Sequence, residues 1–204
     1  MSDLDFIHRY IPSSSGSDRV LLLLHGTGAD ESDLLPLGRE LDPNAALLSP
    51  RGKVLENGAP RFFRRFAEGL FDEEDVVRRA NELADFVAAA ATKYSFAPER
   101  VTALGYSNGA NIAAAMMLLR PEAIRAAVLF RAMVPLSEPP DADLSGTFVL
   151  ISAGEFDPII PLENAQRLTA LLERAGARVE LEVQQASHGL VQNDLVVATR
   201  FLSR

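Results

Sequence analysis

The sequence predicts an α/β fold, a mainly parallel central sheet with helices on both of its faces. Two patterns carry that prediction. Short, continuous apolar runs recur at residues 20–24, 45–48, 101–104, 126–130 and 148–151. Strands covered by helices on both faces have this character, whereas a sheet with one wet face alternates apolar and polar residues. Segments of helical period lie between and after the runs, and such strand–helix alternation specifies parallel neighbours joined by crossovers. The 204 residues, 48% of them hydrophobic, suffice for one well-packed domain over 1–204 and are too few for two.

Taken in order, the segment Ser13-Ser14-Ser15-Gly16-Ser17 reads as a flexible hairpin loop ahead of the first long strand. In residues 75–93, Val76, Ala80, Leu83, Ala84 and Val87 share one helical face, with Arg78, Arg79, Glu82 and Asp85 opposite. A helix over 161–175 has Pro161 in its first turn, where the missing N–H is not needed, and Gly176 just past its end. Residues 179–183 alternate apolar and acidic, which predicts an exposed edge strand, a place where a homodimer can pair. A final helix follows residue 188. In sheets of this kind ligands sit beyond the carboxyl ends of the strands, so chemistry is to be sought there.

Bulk properties narrow the function. The net charge of −8 argues against a nucleic-acid partner, because binding a phosphate backbone needs a basic footprint. The absence of cysteine removes disulfides, thiolate nucleophiles and Cys-ligated zinc together and fits a reducing compartment. The three histidines are dispersed along the chain, so no metal site is expected. The N-terminus, carrying Asp3, Asp5, His8 and Arg9, has no signal-peptide core, and the longest uncharged apolar run, 109–119, falls short of the roughly 20 residues of a membrane span. A cytoplasmic protein that does not engage a membrane is the expectation.

One constellation at the strand ends carries chemistry. Gly105-Tyr106-Ser107-Asn108-Gly109 is a Gly-x-Ser-x-Gly pattern between a strand and a helix. The turn it makes is so sharp that Ser107 is held strained with its hydroxyl exposed, and small residues are needed around it. The helix beginning near Asn108 points its positive end at the place where an oxyanion would form. A nucleophilic serine needs a base, and the order serine, acid, histidine leaves His188, in the loop Ser187-His188-Gly189, as the candidate. Asp157, after the run 148–151, is the candidate acid that orients the imidazole; it also suits a local turn or cap, and Glu155 is the runner-up. Leu24-His25-Gly26-Thr27-Gly28 supplies the other oxyanion segment, with the N–H groups of Thr27 and Asn108 as donors and His25 as a structural hydrogen-bonding residue.

In chain order, Leu24–Gly28, Gly105–Gly109, Gly154-x-x-Asp157-Pro158 and Ser187-His188-Gly189 resemble the phospholipase/carboxylesterase family of small α/β-hydrolases, which includes the acyl-protein thioesterases. Ser49-Pro50-Arg51-Gly52 through Asn57-Gly58 to Arg61-Phe62-Phe63-Arg64 is similar to a bacterial branch of that family, some members of which are linked to quinone or hydroquinone stress. The resemblance spans nearly the whole chain. It implies the α/β-hydrolase fold, a serine-hydrolase mechanism on an ester or thioester, no cofactor, and a short connection in place of a large lid domain. Asn108 and Ala29 stand where many acyl-protein thioesterases carry Gln and an acidic residue, so the resemblance implies esterase chemistry more directly than palmitoyl-protein hydrolysis. A non-catalytic receptor on the same scaffold, or acyl transfer to an acceptor other than water, would use the same residues.

The segment from Arg61 to Phe71 admits two readings. Phe62, Phe63 and Phe71 line a substrate pocket, with Arg61, Arg64 or Arg65 attracting an anionic group, or the rings are core and the arginines solvated cover. The neighbouring acids Glu68, Asp72, Glu73, Glu74 and Asp75 oppose membrane docking and suit the start of the next helix.

Overall fold

The computed structural model describes residues 4–204. Its elements run β1 (His8–Ile11), β2 (Val20–Leu24), α1 (Leu35–Leu41), β3 (Ala46–Pro50), β4 (Val54–Glu56), β5 (Ala59–Arg61), β6 (Arg65–Ala67), β7 (Leu70–Phe71), α2 (Glu73–Tyr94), β8 (Val101–Tyr106), α3 (Asn108–Leu119), β9 (Ala126–Phe130), β10 (Phe148–Gly154), α4 (Leu162–Arg174), β11 (Arg178–Gln184) and α5 (Gln192–Leu202). Seven strands form one sheet in the order β1-β3-β2-β8-β9-β10-β11. β1 is antiparallel to β3 and the other pairings are parallel. This is the α/β-hydrolase arrangement, with no large additional domain among the described residues.

The continuous apolar runs follow from burial on both faces. Along β2, Leu22 and Leu24 enter one core while Leu21 and Leu23 enter the other, as the two-residue period of a strand requires. Residues of α2, α3 and α4 complete the first core, and residues of α1 and α5 the second. Truncating such a leucine to alanine costs about 2–5 kcal/mol. The central helix α3 is buried on nearly all sides, and its alanines let it lie close to the sheet. The acids at the start of α2 suit it as predicted: Asp72 caps the helix by accepting from the Asp75 N–H at 3.2 Å, and Glu73, Glu74 and Asp75 occupy the first turn. Among the described residues no helix is long and apolar enough to cross a membrane.

One local reading is corrected. The Ser13–Ser17 stretch does not turn a hairpin, because β3 lies between β1 and β2. It is a crossover, ordered by the Ser13 hydroxyl, which accepts from the N–H groups of Ser15 and Ser17. The hairpins β4–β5 and β6–β7 have no counterpart in the sequence reading; their two- and three-residue strands are too short for a hydrophobic period. The edge strand is where the alternation places it. Along β11, Glu180 and Glu182 are held by Arg204 and Arg200 of the chain's own C-terminal end.

Candidate active site

The carboxyl ends of β8, β10 and β11 bring three predicted side chains together. Ser107 follows β8 directly and has φ +51°, ψ −113°, a conformation that non-glycine residues rarely adopt. Its N–H donates to Phe130 O at 2.9 Å and its carbonyl accepts from the Asn111 N–H at 3.0 Å, so the surrounding fold maintains the strain. The glycines on either side are sterically required. A Cβ on Gly105 would lie 2.6 Å from the Ala110 Cα, and one on Gly109 only 1.9 Å from Leu24 O. Gly109 therefore lets α3 sit against the end of β2, beyond merely relieving the turn itself.

His188 Nε2 lies 3.0 Å from Ser107 Oγ, and its Nδ1 lies 2.7 Å from Asp157 Oδ2. An ionised carboxylate can only accept, so Nδ1 carries the hydrogen and Nε2 presents its lone pair to the serine hydroxyl. Asp157 is placed for both tasks the sequence suggests for it. Oδ2 faces the imidazole, while Oδ1 accepts from the N–H groups of Ile159 and Ile160 at 2.8 and 3.0 Å and closes the turn into α4. The Asp157 carboxylate is almost fully buried and the His188 ring about one-fifth exposed, which leaves the base reachable and its partner dry. Glu155 is exposed and accepts from Gln185 Nε2, so it does not compete for the imidazole.

Thr27 and Asn108, the two candidate oxyanion donors, follow the end of β2 and Ser107. Asn108 opens α3, where the first N–H groups have no intrahelical acceptor. Thr27 follows β2 in a turn closed by the Ala29 N–H on Gly26 O at 3.3 Å. His25 also donates from Nδ1 to Gly26 O, at 2.7 Å, and accepts the Gly52 N–H on Nε2 at 3.0 Å. Fixing that carbonyl fixes the planar Gly26–Thr27 peptide and directs the Thr27 N–H to the opposite side. Burial holds the His25 pKa below its ordinary value, so the imidazole is neutral and keeps both bonds. His25 is a structural hydrogen-bonding residue, and its bond to Gly26 O constrains the Thr27 peptide.

The segment after β3 ties down both candidate donor residues. Arg61 Nη1 donates to Thr27 Oγ1 at 2.7 Å, the Gly28 N–H to Pro60 O at 2.9 Å, and the Phe62 N–H to Asn108 Oδ1 at 2.7 Å. Of the two readings of the aromatic segment, Phe62 and Phe63 follow the core one. Both are buried, Phe62 against the His25 ring and Phe63 edge-on to Phe71, and only Phe71 is partly exposed. The exposed ring is Phe66 instead, because β6–β7 turns its short strand outward. The arginines are not free for an anion: Arg61 is buried beside Glu56, Arg65 pairs with Glu56 and Glu68, and Arg64 with Asp72. A cavity of about 680 Å³ opens at the amino ends of the strands, near Arg19, Arg100 and Phe148, and includes none of the three triad candidates.

Sequence reading missed a second layer. Tyr106, Arg131 and Asp194 contact the His188 loop or its support. A charged residue directly after the buried run 126–130 was the available signal for Arg131.

Fold and site together define a carboxylesterase-type hydrolase of the α/β-hydrolase class. The phospholipase/carboxylesterase family profile matches residues 8–204, and the chain belongs to that family. It is 46% identical over 186 residues to the putative hydrolase MhqD of Bacillus subtilis, covering 91% of this chain and 93% of that one. Among solved structures it is similar to a Bacillus cereus carboxylesterase, with TM-score 0.93, 45% identity and coverage of 96% and 92% of the two chains. A carboxylesterase from Mesorhizobium loti matches with TM-score 0.94 and 33% identity over 100% and 97% of the chains.

Proposed function

We propose that the protein hydrolyses carboxylic esters or thioesters of small to medium acyl or aryl groups through an acyl-enzyme on Ser107. His188 Nε2 takes the hydroxyl proton as Ser107 Oγ attacks the carbonyl carbon. The N–H groups of Thr27 and Asn108 stabilise the resulting oxyanion, and Asp157 holds the imidazole in the required tautomer and stabilises its cation. The proton on Nε2 then passes to the departing alcohol or thiol. His188 next deprotonates a water, which attacks the acyl carbonyl, and the acid leaves with the Ser107 hydroxyl restored.

The observation that carries this reading is the unbroken chain Asp157–His188–Ser107, with contacts of 2.7 and 3.0 Å, ending on a serine held at φ +51°. Pre-steady-state hydrolysis of p-nitrophenyl acetate tests it. A nitrophenolate burst of about one equivalent per wild-type chain, absent from Ser107→Ala, is the expected signature of an acyl-enzyme. Turnover by Ser107→Ala at the wild-type rate refutes the nucleophile. Saturable binding without turnover by wild type would indicate a receptor, and product diverted to an added alcohol a transferase.

A further inference from the structure

The loop that carries His188 is gripped by groups that the triad does not include. Its three consecutive carbonyls each accept a hydrogen bond from elsewhere in the fold: Ser187 O from Arg131 Nε at 3.1 Å, His188 O from the Tyr106 hydroxyl at 3.1 Å, and Gly189 O from Arg131 Nη2 at 2.7 Å. The remaining Arg131 donors reach Ser152 O at 3.1 Å and the two carboxylate oxygens of Asp194, each at 2.8 Å. All five guanidinium N–H groups are thereby used. The loop also presses on the end of β10, where a Cβ on Gly154 would lie 2.4 Å from Ser187 O.

Asp194 is held as firmly as Arg131. Its carboxylate also accepts from the Ser152 hydroxyl at 2.6 Å and the Val191 N–H at 2.7 Å, and both members of the ion pair are fully buried. Arg131 follows β9 at φ +52°, a left-handed conformation that costs a non-glycine residue free energy. The same strand end accepts the Ser107 N–H through Phe130 O. One short segment thus braces the serine turn with its backbone and the histidine loop with its side chain. Filling the core would require neither the planar fork nor the strain, since apolar side chains of similar volume often replace a buried ion pair without loss of stability.

We propose that Arg131, anchored by Asp194 and assisted by Tyr106, is the positioning residue that sets the reach of His188 Nε2 to Ser107 Oγ. The proposal rests on the Ser107–His188 reading above. Arg131→Lys tests it, with kcat, KM and the thermal midpoint measured together. Lysine keeps the positive charge opposite Asp194, but its single nitrogen cannot span Ser187 O and Gly189 O while pairing with that carboxylate. The expected outcome is a folded enzyme with kcat lower by about 10- to 100-fold and KM within about twofold, because a displacement near 1 Å costs rates of this order. A folded Arg131→Lys with wild-type kcat overturns the proposal; a purely structural role would move the midpoint and leave the folded enzyme's kcat intact.

Should Arg131→Lys not fold, Tyr106→Phe gives the reading instead, since it removes only the hydroxyl on His188 O. A kcat lowered about threefold or more at unchanged midpoint supports the clamp, and an unchanged kcat overturns it. Wild type that shows no burst and no turnover contradicts the serine-hydrolase reading itself, a result visible before any variant is compared.

Discussion

Asp157→Asn separates the two duties of one carboxylate. Oδ1 closes the turn through Ile159 and Ile160 at 2.8 and 3.0 Å, and Oδ2 meets His188 Nδ1 at 2.7 Å. The amide oxygen can keep both turn bonds, which leaves the NH₂ facing the imidazole. That group donates, so His188 must present a lone pair at Nδ1 and carry its hydrogen on Nε2, where Ser107 needs an acceptor. Replacing a triad aspartate this way with geometry intact lowers kcat by about 10⁴. At about 1.36 kcal/mol per decade, this is about 5.4 kcal/mol of lost transition-state stabilisation. Because the turn survives, the thermal midpoint should stay within about 4 °C of wild type. Steady-state hydrolysis of p-nitrophenyl acetate with parallel thermal denaturation measures both quantities. A kcat within tenfold of wild type would refute the tautomer argument.

Three further outcomes are expected. Thr27→Val removes the hydroxyl that Arg61 holds while leaving the Thr27 N–H in place; kcat should fall about tenfold through a loosened oxyanion loop, read by the same assay, with a stability loss of about 1–3 kcal/mol from the unpaired Arg61 donor. Gly109→Ala drives a methyl into Leu24 O and should cost about 3 kcal/mol or more, read from urea unfolding, whereas an unchanged unfolding midpoint would contradict the close approach of α3 to β2. Stability should decline on acidification below the ordinary histidine value of 6.5, because His25 binds a proton in the unfolded chain more readily than in the fold, where burial disfavours its charge. His25→Gln should show a shallower loss of thermal midpoint between about pH 6.5 and 5, and an identical slope would show that His25 contributes nothing to it.

The strands were legible because burial on both faces writes a continuous apolar run, as at Val20–Leu24 and Ala126–Phe130. The serine and histidine candidates were legible because a strained turn demands glycines at 105 and 109 and chain order selects one histidine, whereas the acid was narrowed only to the loop after 148–151, with Glu155 as runner-up. Asp157 was ambiguous in sequence, and its two oxygens serve the two readings separately. Phe62 and Phe63 could not be resolved in advance, since a pocket wall and a core have the same composition. Arg61 and Arg131 were misjudged or passed over for another reason. A buried guanidinium is intelligible only from its acceptors, and those that tie Arg61 and Arg131 to the site lie on Thr27, Ser187, Gly189 and Asp194, far from them along the chain.

The central claim, an activated Ser107, is tested most directly by intact-mass detection of a fluorophosphonate adduct, which presupposes no substrate. Wild type should gain one adduct, mapped by peptide mass to the segment holding Ser107, with none on Ser107→Ala and much slower labelling of His188→Ala. Folded wild type that stays unmodified, or an adduct that persists in Ser107→Ala, would contradict it.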